Sequence, residues 1–203
     1  VCAVPVDKEP PCQPDMALES SCENSFVKLT WTNPNHYCSD DAWKYKIYYK
    51  PTQDGNFDLL DSTYLVNDTV YVYDSYISIA GCFAVTAVDS SGNESPILKS
   101  VCVDNCPEYE LPNIITINGD NINDTLIPVK NKFIKEVDFK LYDRWGVLVF
   151  ETTEPQLNWD GKNKFSKLRC TNGVYYYTCR VVEIRLAGLK ERELKGWIQV
   201  IDK

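Results

Sequence analysis

The strongest constraint on this 203-residue chain is a hydrophobic period of two. Apolar and polar residues alternate in Phe26-Val27-Lys28-Leu29-Thr30-Trp31 and in Trp43-Lys44-Tyr45-Lys46-Ile47-Tyr48-Tyr49-Lys50. Val137, Phe139 and Leu141 are likewise set between Glu136, Asp138 and Lys140. Successive side chains of a strand point to opposite faces, so this pattern builds half-buried sheets. Cys82–Val88 and Gly173–Cys179 add segments rich in Val, Tyr and Thr, which favour strands. No stretch carries the period of an amphipathic helix. Short strands parted by turns predict an all-β chain of two consecutive antiparallel β-sandwiches.

Charge locates the division. Residues 1–106 hold 6 lysines, no arginine and 15 acidic residues, a net charge of −9. Residues 107–203 hold 15 basic and 14 acidic residues, a net charge of +1. The step coincides with Cys106-Pro107-Glu108-Tyr109-Glu110-Leu111-Pro112, which has two prolines and no period. Domains are therefore expected over 1–106 and 107–203.

Composition excludes several functions. A net charge of −8 argues against nucleic-acid binding, which depends on neutralising phosphates. No apolar run approaches the ~20 residues of a membrane-spanning helix. His36 is the single histidine, so a multi-histidine metal site is ruled out, and it sits in a polar loop with no nucleophile motif nearby. Glu151 and Glu154 lie beside a strand end near Pro155, where solvated charges are expected rather than a glycosidase pair. The chain begins at Val1 without a signal-peptide pattern, as expected of a mature protein or a piece of a longer one. No catalysis and no cofactor are expected.

Nine cysteines are a heavy load. No C-x2-C pair occurs, so zinc is disfavoured. Disulfides in an oxidising compartment are the better reading, with Cys2 as the odd residue. Cys170 and Cys179 are spaced to close a short loop, a bridge worth roughly 2–3 kcal/mol.

The first part resembles a fibronectin type III module. The resemblance rests on Trp31 in the second strand, Tyr45-x-Ile47-x-Tyr49 in the third, and Val85-Thr86-Ala87-Val88-Asp89-Ser90-Ser91-Gly92-Asn93-Glu94-Ser95 from the sixth strand into its turn. It covers about residues 12–103. Gly81-Cys82-Phe83 stands where such modules usually have a bracing corner tyrosine. The topology implied by the resemblance pairs Cys82 with Cys102, Cys12 with Cys38, and Cys22 with Cys106.

The second part resembles the gliding-motility-associated C-terminal domain, the type B sorting domain of the type IX secretion system of Bacteroidota. Five segments carry the resemblance. They are Leu111-Pro112-Asn113-Ile114-Ile115-Thr116-Ile117-Asn118-Gly119-Asp120-Asn121-Ile122-Asn123-Asp124-Thr125, Leu141-Tyr142-Asp143-Arg144-Trp145-Gly146, Val149-Phe150-Glu151-Thr152, Asn158-Trp159-Asp160-Gly161-Lys162 and Gly173-Val174-Tyr175-Tyr176-Tyr177. Ile117 and Asn121 replace the Pro and Gly usual in the family. The resemblance implies an exported surface protein with passage through the periplasm. Its partners would be the type IX translocon, an outer-membrane shuttle barrel and a dedicated anchoring protein, with the fibronectin-like part as spacer. The candidates for recognition are a hairpin tip at Leu189-Lys190-Glu191-Arg192-Glu193 and an edge strand through Lys195, Gly196, Trp197 and Ile198, since an edge offers unpaired backbone groups.

Other features have plainer readings. Asp120, Asn123 and Asp124 collect oxygens as calcium sites do, but the spacing fits an Asx-stabilised turn. Asp160 reads as a turn residue beside a core Trp159. Trp43, Tyr45, Tyr48 and Tyr49 offer an alternative function, an adhesive or carbohydrate-binding platform, although half of such a strand must face the core. Asn67-Asp68-Thr69 and two similar triplets fit a glycosylation pattern that three residues reach often by chance.

Overall fold

Strand-forming alternation dominates the computed structural model, which describes residues 7–120 and 122–202. The expectations for Cys2 and Asn121 lie outside the described residues. The chain divides into two units, Val1–Asn105 and Cys106–Lys203. Among the described residues the one helical element is a 3-10 turn, Pro34–His36.

The first unit contains β1 (Met16–Ser21), β2 (Phe26–Trp31), β3 (Ala42–Lys50), β4 (Asp58–Ser62), β5 (Val70–Asp74), β6 (Gly81–Asp89) and β7 (Val101–Val103). They form one sheet in the order β1-β2-β5 and another in the order β4-β3-β6-β7, every pair antiparallel. Three strands facing four is the fibronectin type III arrangement. Alternation does the work here. Val27, Leu29 and Trp31 of β2 and Tyr45 and Ile47 of β3 turn inward and are buried. Trp31 meets Tyr45 edge to face at 5.4 Å between ring centroids.

β6 is buried on both faces, because the N-terminal segment and the turn after β6 cover what alternation would leave wet. Gln13 shows how. Its amide donates to the Val85 and Lys99 carbonyls, and its oxygen accepts from Leu98 N and Lys99 N. That side chain fills the gap where β7 has not yet joined β6.

Two disulfides lie in this unit, Cys12–Cys38 and Cys82–Cys102. Cys82 and Cys102 are directly opposed in the β6–β7 register, so a covalent brace stands at the corner that lacks a tyrosine. Cys22 and Cys106 are also disulfide-bonded.

The second unit contains β8 (Glu108–Glu110), β9 (Ile114–Ile117), β10 (Lys130–Lys132), β11 (Ile134–Tyr142), β12 (Leu148–Thr152), β13 (Gly173–Arg185) and β14 (Gly188–Asp202). A five-stranded sheet runs β12-β11-β13-β14-β9, and β8 pairs with β10 in a short ribbon. Phe139, Leu141, Trp159, Val181, Ile198 and Val200 form its core with Ile115 and Leu126. Each such side chain, fully buried, contributes about 1.5–3 kcal/mol before chain entropy is counted.

Three expectations are corrected in this unit. First, the pairing is not wholly antiparallel: β9 runs parallel to β14, from Gln199↔Ile114 to Asp202↔Ile117. The end of β14 is therefore interior to the sheet, and only residues 188–198 lack a described strand neighbour on that side. Second, residues 188–193 are strand rather than hairpin tip. The turn is Leu186-Ala187, and the alternating charges beyond it are one exposed strand face. Third, Cys170 and Cys179 are free thiols, both buried. β13 is extended from Gly173, and six steps of about 3.3 Å hold Cys179 about 20 Å along the strand from its start. A disulfide needs Cα atoms within about 7 Å.

Candidate recognition surface on the second unit

The turns quoted for the sorting-domain resemblance are held by their own side chains. Asp124 Oδ1 accepts from Asn118 N and Gly119 N, both at 2.9 Å. Asp120 accepts from Ile122 N and from Asn118 Nδ2. Asn123 takes a positive φ of 57°, and its carbonyl accepts from Thr116 N. Both Asp120 carboxylate oxygens, Asp124 Oδ1 and the Asn123 main-chain carbonyl are thus engaged within the turn and its strand. Pro112 and Asn113 lead into β9, where the Asn113 carbonyl accepts from Gln199 N at 2.8 Å.

Asp143 organises the next turn. Its Oδ1 accepts from Trp145 N and Val147 N, and Gly146 takes the left-handed conformation at φ 78°. Arg144 and Trp145 project from this turn, and Trp145 is 82% exposed. Arg144 Nη2 lies 3.5 Å from where a Cβ of Gly173 would stand.

Trp159 is buried, and its Nε1 donates to the Lys162 carbonyl at 2.7 Å. Asp160 takes Lys162 N and Lys162 Nζ. That lysine, chiefly, holds the Asp160 carboxyl below its ordinary value. Gly161 is required sterically: φ is 76°, and a Cβ would stand 1.9 Å from Ile117 Cδ1. Tyr175 is buried, with its hydroxyl donating to the Thr171 carbonyl. These residues fold the unit rather than present chemistry.

The residues picked for recognition all lie on β14 but do not share one face. Leu189, Lys190, Lys195 and Trp197 are exposed. Ile198 is fully buried, a correction that follows from its opposition to core Tyr175. Gly196 backs onto Tyr177, whose hydroxyl would stand 2.6 Å from an added Cβ. Arg192 turns to the core side and binds Glu183 through Nε, and it reaches the Tyr109 carbonyl through Nη2 at 3.4 Å.

Sequence reasoning missed a row that crosses the sheet. Tyr142 of β11 opposes Tyr176 of β13, and Tyr176 opposes Trp197 of β14. Tyr176 is 54% and Trp197 48% exposed. The alternation in Tyr175-Tyr176-Tyr177 carried the signal, since burial of the outer two turns the middle one outward. Lys140 and Lys195 flank the row two residues along the strands, with Thr178 between them.

Three carboxylates gather in the first unit, at Asp7, Asp41 and Asp89, all within 4.8 Å of one another. Asp89 already accepts from Asn93 N and Asn93 Nδ2, each at 2.7 Å. Of the aromatic platform, Tyr45 is fully buried, Tyr49 stacks on Tyr73 at 5.4 Å, and Trp43 is 60% exposed. His36 is exposed. Glu151 sits 3.7 Å from Lys164 Nζ, with its side chain 39% exposed.

These observations define a pair of β-sandwich modules whose chemistry lies in turns and surfaces. Residues 109–200, all within the second unit, match the family model described as the CHU_C type IX secretion signal domain. Such a signal implies export across the outer membrane to the surface. Among solved structures, the crystal structure of chicken CNTN1 FN1–FN3 domains is similar, with 14% identity and a TM-score of 0.36 over 93% of this chain and 68% of that one. The comparison with curated proteins gave no match. No helix of the described residues is long and apolar enough to cross a membrane.

Proposed function

We propose that the second unit is the element gripped by the type IX translocon and its outer-membrane shuttle barrel, and then by an anchoring protein at the surface. The first unit serves as a spacer, and neither unit catalyses a reaction or needs a cofactor. The observation that carries this reading is the family match over residues 109–200, which spans nearly the whole of one unit. The surface that fits the role is the outer face of the five-stranded sheet around Tyr142, Tyr176 and Trp197. It is rigid, because its inner face is the core, and its aromatic rings offer large contact area at low entropic cost.

Deleting residues 195–203 would be a poor test, since it removes the strand that seats β9. Substitution is cleaner. The full chain, fused behind a reporter in a host with the pathway, is expected at the cell surface. The Tyr176→Ser/Trp197→Ser form, folded as judged by circular dichroism, is expected to stay in the periplasm. Equal display of both forms overturns the assignment of this face, and periplasmic retention of the parent overturns the export reading.

A further inference from the structure

The two free thiols are placed unlike the other described cysteines, all six of which are disulfide-bonded. Cys170 lies before β13 and is 7% exposed, and Cys179 is on β13 and 1% exposed. Their surroundings differ. Cys170 lies at the start of β13 with Tyr175, Asp143 and Asp160 near it, whereas Cys179 sits farther along with Tyr109, Asp138 and Arg192. The strand between them is the centre of the sheet. Residues 176–179 pair with β11 on one side, from Tyr142↔Tyr176 to Phe139↔Cys179, and with Trp197 to Leu194 of β14 on the other.

Disulfides in the first unit mean that the chain meets an oxidising environment. In an unfolded chain, a loop of ten residues closes in about 10–100 ns, so these thiols meet often. In the folded chain they do not meet. We infer that Cys170 and Cys179 form a redox-sensitive folding gate: folding hides them and holds them apart, whereas oxidation before folding joins them and leaves a chain that cannot lay down β13.

The oxidant is a small-molecule or protein disulfide. Each thiol gives up one proton and one electron, a new bond joins the two Sγ atoms, and the oxidant's S–S bond is reduced to two thiols. The joined loop brings the Cα atoms within about 7 Å, where β13 needs an extended run. The pairs to both neighbours are then lost together, and with them the order β11-β13-β14. Burial also pushes the Cys179 thiol up to about 12, so the folded form supplies little thiolate for oxidation. This inference concerns folding, and it stands whatever recognises the unit.

The test uses the full chain, unfolded in guanidinium chloride and treated with diazenedicarboxamide, which takes two hydrogens from a thiol pair and becomes the hydrazine. After acid quenching, the chain is refolded by dilution and fractionated by protease resistance, and the cysteines are mapped by mass spectrometry. The Cys170–Cys179 linked peptide is expected in the protease-sensitive fraction, with both thiols free in the resistant fraction. The Cys170→Ser/Cys179→Ala form is expected to recover equally with and without oxidant. Finding the linked peptide in the resistant fraction overturns the gate, as does equal loss of native chain in that double variant. Should the variant fail to fold, the map of the parent chain decides alone.

Discussion

Arg192 Nε donates to Glu183 Oε1, and the carboxylate side chain that receives it is 3% exposed. Arg185 takes the other oxygen through Nε and Nη2. Burial works against the charged carboxylate, but the hydrogen bonds from the two arginines outweigh it and lower the Glu183 pKa below its ordinary 4.5. This triad ties the two long strands of the hairpin together near its turn.

Glu183→Gln removes the acid and leaves two cations facing each other. Breaking a buried pair costs about 3–5 kcal/mol, and both arginines here are about a third exposed. The expected loss is therefore smaller, about 2–3 kcal/mol, read as a lower urea midpoint. The pH dependence follows from the lowered folded pKa. The contribution is complete above about 4.5 and is lost as pH falls through the lower folded value. The midpoint difference between parent and variant is expected to shrink over that acidic range and to be flat from pH 6 to 8.

Gly161→Ala introduces a Cβ 1.9 Å from Ile117 Cδ1 at a φ of 76°. Overpacking costs about 1–3 kcal/mol, and the left-handed conformation adds about 1. A loss of about 2–4 kcal/mol is expected in equilibrium unfolding of the second unit. Gly119→Ala is expected to cost only the conformational part, because no atom lies within 4 Å of its added Cβ.

Cys82→Ala/Cys102→Ala removes a bridge across a sequence separation of 20. The expected cost is about 3 kcal/mol, measured as a lower denaturation midpoint of the first unit. Reducing the parent before unfolding is expected to lower the midpoint further than this, and to lower that of the double variant too, because Cys12–Cys38 and the bonds of Cys22 and Cys106 then open as well.

Native alkylation separates burial from bonding. Iodoacetamide at pH 8 is expected to leave Cys170 and Cys179 unlabelled in the folded chain and to label both in denaturant, as peptide mapping reports. Labelling of Cys179 without denaturant would contradict its burial.

Much of this fold is legible in residue order. Val27, Leu29 and Trp31 declare their inward face by alternation alone, and a sandwich topology then places Cys82 against Cys102. The charged stretch Leu189–Glu193 misleads because a strand exposed on its outer face, with Arg192 satisfied by Glu183 beneath, has the composition of a loop. β9 is four residues long, too short to show a period, and its parallel pairing depends on a strand more than 80 residues away in sequence. The spacing of Cys170 and Cys179 suggests a bridge because spacing does not register that the intervening residues are stretched. The aromatic row was hidden for a related reason: Tyr142, Tyr176 and Trp197 become neighbours only once register is set.

The placement of β14 between β13 and β9 makes the unit's entrance wait for its exit. Ile115 and Ile117 reach the core on a strand whose only described ladder partner spans Gln199–Asp202. A chain broken anywhere before that stretch leaves them unseated. The sheet is therefore complete only once the chain has been made through Asp202, although β9 itself is made more than 80 residues earlier.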